Sequence, residues 1–129
     1  MYLGLEKRLL GKTEEKVTFI GFGALEIGRD WGIGDPSEKI RPNEEEVGKV
    51  LNKVLDLGIN MVDTARAYLQ SEERIGKYIA HRRSEYFLAT KCGEHSKEPD
   101  TYYDFSYQAV NDSIDLSLKL LNTQVIDLL

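Results

Sequence analysis

The chain has one cysteine, Cys92, so no intrachain disulfide framework can hold it together. It also lacks any apolar run near the roughly 20 residues that a membrane-spanning helix requires. Its 17 basic and 22 acidic residues leave a net charge of −5, and neither sign gathers into a block. A nucleic-acid or anionic-membrane surface therefore finds no support, and small soluble partners fit better. Residues 1–12 carry charges where a signal peptide needs an apolar stretch, which places the expected location in the cytoplasm. Only two histidines occur, and no cluster has the spacing of metal ligands. At 129 residues the chain has room for one domain, whereas a complete eight-stranded α/β barrel takes about 250.

What is present is a rhythm of apolar strands followed by amphipathic helices, the pattern of βαβ units. Residues 9–16 predict a short hairpin lead-in, and residues 17–21 a first strand. A long glycine-bearing loop, 23–42, exceeds the roughly two to six residues of an ordinary βα connection and points to function. Asn43 with Glu46 forms a capping box, and Val47, Val50, Leu51, Val54 and Leu55 follow at helical spacing. Gly58 stops that helix, and residues 59–63 form the next strand. Ser71 is the expected cap of a second helix, with Glu72 and Glu73 in its first turn, Ile75 and Ile79 facing inward and Gly76 permitting close packing. Residues 86–91 predict a third strand and 92–105 a polar loop. Ser106 caps a third helix with a stripe of Val110, Ile114, Leu118 and Leu121. Residues 125–129 begin a fourth strand. The expected organisation is one domain over 1–129, the hairpin occupying 1–16 and the strand-helix units 17–129.

Parallel strands joined by one-handed crossovers present their carboxyl ends on one face, which brings Asp63, Lys91 and the loop carrying Tyr68 together. An ordinary tyrosine titrates near pH ~10, and a neighbouring ammonium favours its ionised form. A carboxylate beside that ammonium keeps it charged. Asp63, Lys91 and Tyr68 are thus suited to placing one proton on a developing alkoxide. No side chain donates hydride, so such chemistry implies a nicotinamide cofactor.

The residues Gly21-Phe22-Gly23-Ala24, the run Asp63-Thr64-Ala65-x-x-Tyr68-x-x-Ser71-Glu72, Leu88-Ala89-Thr90-Lys91 and Asp104-Phe105-Ser106 resemble the aldo-keto reductases. Gly76 and Val125-Ile126-Asp127-Leu128-Leu129 agree, and the landmarks fall in order over nearly the whole chain. The resemblance implies the N-terminal portion of a (β/α)8 TIM barrel, with about four parallel strands and three helices after the hairpin. It implies NADPH-dependent reduction of an aldehyde or ketone, with Tyr68 as proton donor and Lys91 and Asp63 as its tuning partners. Gly23, Ala24 and Asp63 are then expected near the nicotinamide ribose. Family members complete the set with a histidine a few residues after the 125–129 strand, and their main cofactor-gripping segments lie later still. Alternatives are a nicotinamide-binding sensor or auxiliary subunit, or an inactive half-barrel. Four parallel strands with three helices leave open edges, and a sequence that ends inside an apolar strand is expected to be part of a longer protein, with self-association or a separate second half as the other routes to closure.

Other signals are weaker. Gly21-x-Gly23 lacks the third glycine and the following helix of a Rossmann fingerprint. Cys92 beside Lys91 is read as a small strand-end residue rather than a redox sensor. Trp31 either lines a substrate pocket or packs on apolar residues of its own loop. His81 is expected on the surface of the opposite face, and His95 on the face of Lys91 without a site role.

Overall fold

The computed structural model describes residues 4–29, 41–97 and 100–129. The lead-in hairpin pairs β1 (Lys7–Leu9) with β2 (Lys16–Thr18), Lys7 opposite Thr18. The expected first strand, 17–21, is therefore divided. Val17 and Thr18 belong to the hairpin, and the parallel sheet begins at β3 (Phe22–Gly23). Side-chain bonds cause the break. The Thr18 N–H donates to Asn60 Oδ1 at 2.6 Å, the Asn60 N–H to Thr18 Oγ1 at 3.1 Å, and Thr18 Oγ1 itself to the Ile20 carbonyl at 2.7 Å. Local polar partners thus replace a strand ladder. Phe19 and Ile20 are left 66% and 56% exposed.

β3 lies beside β4 (Met61–Asp63), and β4 beside β5 (Phe87–Ala89), all parallel. The registers Phe22 to Val62, Val62 to Leu88 and Gly23 to Asp63 to Ala89 bring the three carboxyl ends level. The expected fourth strand takes its place beside β5. Leu128 bridges Ala89 in parallel, the Thr90 N–H donates to the Leu128 carbonyl at 3.0 Å, and the Leu128 N–H to the Leu88 carbonyl at 3.1 Å. Sequential strands are thus spatial neighbours, as in the opening strands of a barrel.

Helix α1 (Glu44–Asp56) starts at the Asn43–Glu46 capping box and buries Val47, Leu51, Val54 and Leu55. Val50 departs from the expected stripe at 42% exposure. α2 (Ser71–Ile79) buries Ile75 and Ile79, and a 3₁₀ segment, Ala80–Glu85, carries exposed His81 towards β5. α3 (Tyr107–Leu120) is capped by Ser106, whose Oγ accepts from the Ala109 N–H. It crosses α2 so closely that a Cβ on Gly76 would lie 2.0 Å from the Leu120 carbonyl oxygen. Its buried positions are Ser113 and Ser117, with Leu121 just beyond, while Val110, Ile114 and Leu118 are only half-buried. The core runs between the sheet and the helices, centred on Leu51, Val62, Ile75, Ile79, Leu88 and Leu121. Each such large side chain gains about 1.5–3 kcal/mol from burial. No helix among the described residues is long and apolar enough to cross a membrane.

The expected irregular loop after Lys91 is instead a second hairpin, β6 (Glu94–Lys97) against β7 (Asp100–Tyr103). His95 stacks on its cross-strand partner Tyr102 at 4.9 Å between ring centroids, and the Asp104 N–H to Gly93 carbonyl bond closes the base.

One polar junction ties α1 to α2. Glu44 meets Arg74 at 2.8 Å, Lys77 at 2.7 Å and the Tyr78 hydroxyl at 2.8 Å. Arg74 also donates to the carbonyls of Ile27 and Pro42, joining both ends of the long first loop to α2. Lys77 first, then Tyr78, hold the Glu44 carboxyl down from 4.5 to about 2. A carboxyl whose folded value is depressed contributes its full stability above its unfolded value and loses it as the pH falls. The difference in Tm between the wild type and Glu44→Gln is therefore expected to shrink as the pH drops from 4.5 towards 2. Thermal melts across that range check this, and a constant difference would refute it.

Candidate active site

Where the parallel strands end, their last residues are tied edge to edge. The Ala24 N–H donates to the Asp63 carbonyl at 2.8 Å, the Thr64 N–H to the Ala89 carbonyl at 2.9 Å, and the Arg66 N–H to the Lys91 carbonyl at 3.1 Å. Asp63 and Lys91 consequently stand side by side on one rim. Lys91 Nζ donates to both Asp63 carboxylate oxygens at 2.8 Å and to the Thr64 carbonyl at 3.0 Å. The same ammonium lies 5.3 Å from the centroid of the Tyr68 ring. The three residues singled out from the sequence are thus one cluster. Their ion pair is half exposed, at 51% and 42%, and exposed pairs add only about 0–1 kcal/mol to stability.

The loop carrying Tyr68 is tightly shaped. The Tyr68 N–H donates to the Ala65 carbonyl and the Tyr68 carbonyl accepts from the Ser71 N–H, both at 3.0 Å. Leu69 then adopts a left-handed φ of 49°, a conformation unfavourable for a residue with a Cβ. Gly28, from the loop after β3, packs against this turn, and a Cβ there would sit 2.0 Å from the Tyr68 carbonyl oxygen and 2.4 Å from the Ser71 nitrogen. Only glycine permits that approach.

Beneath the rim lies a buried polar floor. Ser71 was the expected helix cap, but that position falls on Gln70, which makes no side-chain capping bond. Ser71 is instead the first helical residue and fully buried, its Oγ donating to the Ala24 carbonyl at 2.7 Å and sharing a 2.8 Å bond with Thr64 Oγ1. Helix-dipole placement similarly understates Glu72. Its carboxylate has 0% exposure, pairs with Arg66 and accepts from Thr90 Oγ1 at 2.7 Å. Sequence reasoning missed Arg66 and Thr90. An arginine between two alanines, six residues before a glutamate, was the available signal for the first. For the second, strand alternation turns Thr90 away from the side on which Lys91 projects.

Gly23 is exposed at the end of β3 beside Asp63, and a Cβ added to it would meet nothing within 4 Å. Ala24, by contrast, is fully buried, with both its backbone N–H and its carbonyl bonded internally, so it supports the rim from below. Cys92 is half-buried and free. His95 is half-buried, its Nε2 enclosed without a hydrogen-bond partner. Trp31 falls outside the described residues.

A family model, "Aldo/keto reductase family", matches residues 19–129. The chain belongs to this family. It is 35% identical over 130 residues to L-galactose dehydrogenase of Arabidopsis thaliana, a match covering 97% of this chain and 37% of that protein. Among solved structures, PA4992 of Pseudomonas aeruginosa, assigned to the aldo-keto reductases, superposes with a TM-score of 0.81 at 36% identity, covering 98% of this chain and 48% of that one. The holo form of aldo-keto reductase AKR11C1 from Bacillus halodurans gives 0.77 at 31% identity, covering 95% and 38%. This aldo-keto reductase chain thus spans less than half the length of these relatives, and its parallel strands and outer helices form part of the barrel they share.

Proposed function

We propose that the complete protein reduces aldehydes or ketones to alcohols with NADPH, and that Tyr68 is its proton donor. The observation that carries this is the position of Lys91 Nζ, bonded to both oxygens of Asp63 and 5.3 Å from the Tyr68 ring. NADPH supplies the hydride that no side chain can supply. Tyr68 gives its phenolic proton to the carbonyl oxygen as negative charge develops there. The Lys91 ammonium stabilises the phenolate left behind, and Asp63 orients that ammonium and favours its charged form. The open surface at Gly23 beside the half-exposed Asp63 leaves room for the nicotinamide ribose, with Ala24 as the buried support under it. A small-molecule carbonyl compound is the partner, and the cytoplasm, where free thiols such as Cys92 persist, is the compartment. Further barrel strands close on the edge where Val125, Leu128 and Leu129 are about half exposed.

Lys91→Met keeps an unbranched side chain one atom shorter and removes the charge. In the complete protein it is expected to lower kcat by about a hundredfold, within the range of lost general acid catalysis. Steady-state kinetics over a pH series check this. Turnover and a pH profile equal to the wild type would refute the role given to Lys91.

A further inference from the structure

The peptide unit that precedes Tyr68 is held at both ends. Its N–H, on Tyr68, donates to the Ala65 carbonyl at 3.0 Å. Its carbonyl, on Ala67, accepts from two side chains on two other loops, Arg29 Nη1 at 3.3 Å and Ser96 Oγ at 2.7 Å. A peptide unit is planar, so fixing its N–H and its carbonyl fixes the plane from which the Tyr68 Cα projects. The next peptide unit is fixed as well, by the Ser71 N–H on the Tyr68 carbonyl and by the packing of Gly28 against it.

The two donors are themselves connected. Arg29 Nη1 also reaches Glu94 Oε1 at 3.1 Å, with only 14% and 28% of the two side chains exposed, and Glu94 Oε1 accepts from Thr101 Oγ1 at 3.1 Å. Arg29 lies in the loop after β3, whereas Glu94, Ser96 and Thr101 belong to the β6–β7 hairpin. Three consecutive strand-to-helix connections therefore converge on one backbone carbonyl, adjacent to the proposed proton donor.

We infer that Arg29, Glu94 and Ser96 are positioning residues for Tyr68, and that the β6–β7 hairpin serves the reaction by clamping the Ala67 carbonyl. The inference rests on Tyr68 as the proton donor. The clamp acts through the Tyr68 backbone: Arg29 and Ser96 donate to the Ala67 carbonyl, and Glu94 holds Arg29. Its loss lets the peptide plane rotate and carries the phenol away from the carbonyl oxygen, a displacement that costs about ten- to a hundredfold in rate.

The test uses the complete protein in four forms: wild type, Ser96→Ala, Ser96→Thr and the double variant Arg29→Ala with Ser96→Ala. The readouts are kcat, NADPH affinity and the solvent deuterium isotope effect on single-turnover reduction. The double variant is expected to lose ten- to a hundredfold in kcat, to bind NADPH as the wild type does, and to show a larger solvent isotope effect because proton delivery has become slower. Ser96→Ala gives a smaller loss in the same direction, and Ser96→Thr, which keeps the hydroxyl, restores the wild-type rate. Unchanged kcat in Ser96→Ala and in the double variant would overturn the inference, as would a lower kcat with an unaltered isotope effect. Tyr68→Phe, measured alongside, separates the two levels. If it retains turnover, the proton-donor assignment has failed; if it is inactive while the clamp variants are fully active, only the clamp has failed.

Discussion

Tyr68→Phe in the complete protein is expected to lower carbonyl reduction by about 10² to 10⁴-fold while leaving NADPH binding in place. The substitution removes one oxygen and its proton and nothing else of the ring. The backbone bonds that shape the turn do not involve that oxygen, since Tyr68 N–H to Ala65, Ser71 N–H to Tyr68 and the approach of Gly28 are all main-chain features. The ring can still sit beside Lys91, and the Lys91 to Asp63 pair stays intact. A loss of rate then reports the missing proton rather than a misfolded rim. Steady-state kinetics with a panel of aldehydes and ketones, combined with fluorescence titration of NADPH, check the prediction. Turnover near the wild-type value would show that another group delivers the proton.

The largest effect on stability is expected beneath the rim. Glu72 is fully buried, and its partners are Arg66 and Thr90 Oγ1. Arg66→Ala removes the counter-charge from a fully buried carboxylate. Breaking one side of a buried ion pair costs about 3–5 kcal/mol, because the remaining charge stays desolvated and unpaired. Arg66 Nη2 also donates to the carbonyl of left-handed Leu69 at 3.4 Å, so the same change loosens the turn that carries Tyr68. Arg66→Met combined with Glu72→Gln is expected to recover much of the loss, since it removes both charges and leaves Thr90 an amide oxygen to donate to. Denaturant unfolding of the two variants measures the difference. An Arg66→Ala protein as stable as the wild type would contradict the weight given to this pair.

These two sites also mark how far the amino-acid sequence could be read. Local rules found α1, because Asn43, Glu46 and the spacing from Val47 to Leu55 act within one helix. Strand order found the meeting of Asp63 and Lys91, because parallel strands with crossover helices share a face. Two of the misses depend on partners distant along the chain. Asn60 divides the first apolar segment by bonding Thr18 across 42 residues. Ser71 leaves its expected cap role for the Ala24 carbonyl, 47 residues away. Val50 and the α3 stripe were over-assigned to the core for a related reason. Helical spacing shows which side chains share a face but not what covers that face, and Val110, Ile114 and Leu118 are only half covered by the described residues. The β6–β7 hairpin was hidden because its strands are polar and short, their register fixed by cross-strand contacts such as His95 on Tyr102.

Roles divide accordingly across the motif. Asp63 and Tyr68 face the open rim with Lys91, whereas Thr64, Ser71 and Glu72 build the floor that holds them there. A family motif read as one unit is, in the structure, a set of residues on the open rim and a buried set beneath them.

In the proposed reaction this rim delivers a proton while NADPH delivers hydride to a carbonyl carbon. The most direct measurement is single-turnover reduction by the complete protein using NADPH deuterated at the transferring position of the nicotinamide. The expected product is an alcohol carrying that deuterium on the former carbonyl carbon, formed rapidly by the wild type and at least about a hundredfold more slowly by Tyr68→Phe. Alcohol without the label, or equal rates in the two proteins, would contradict it.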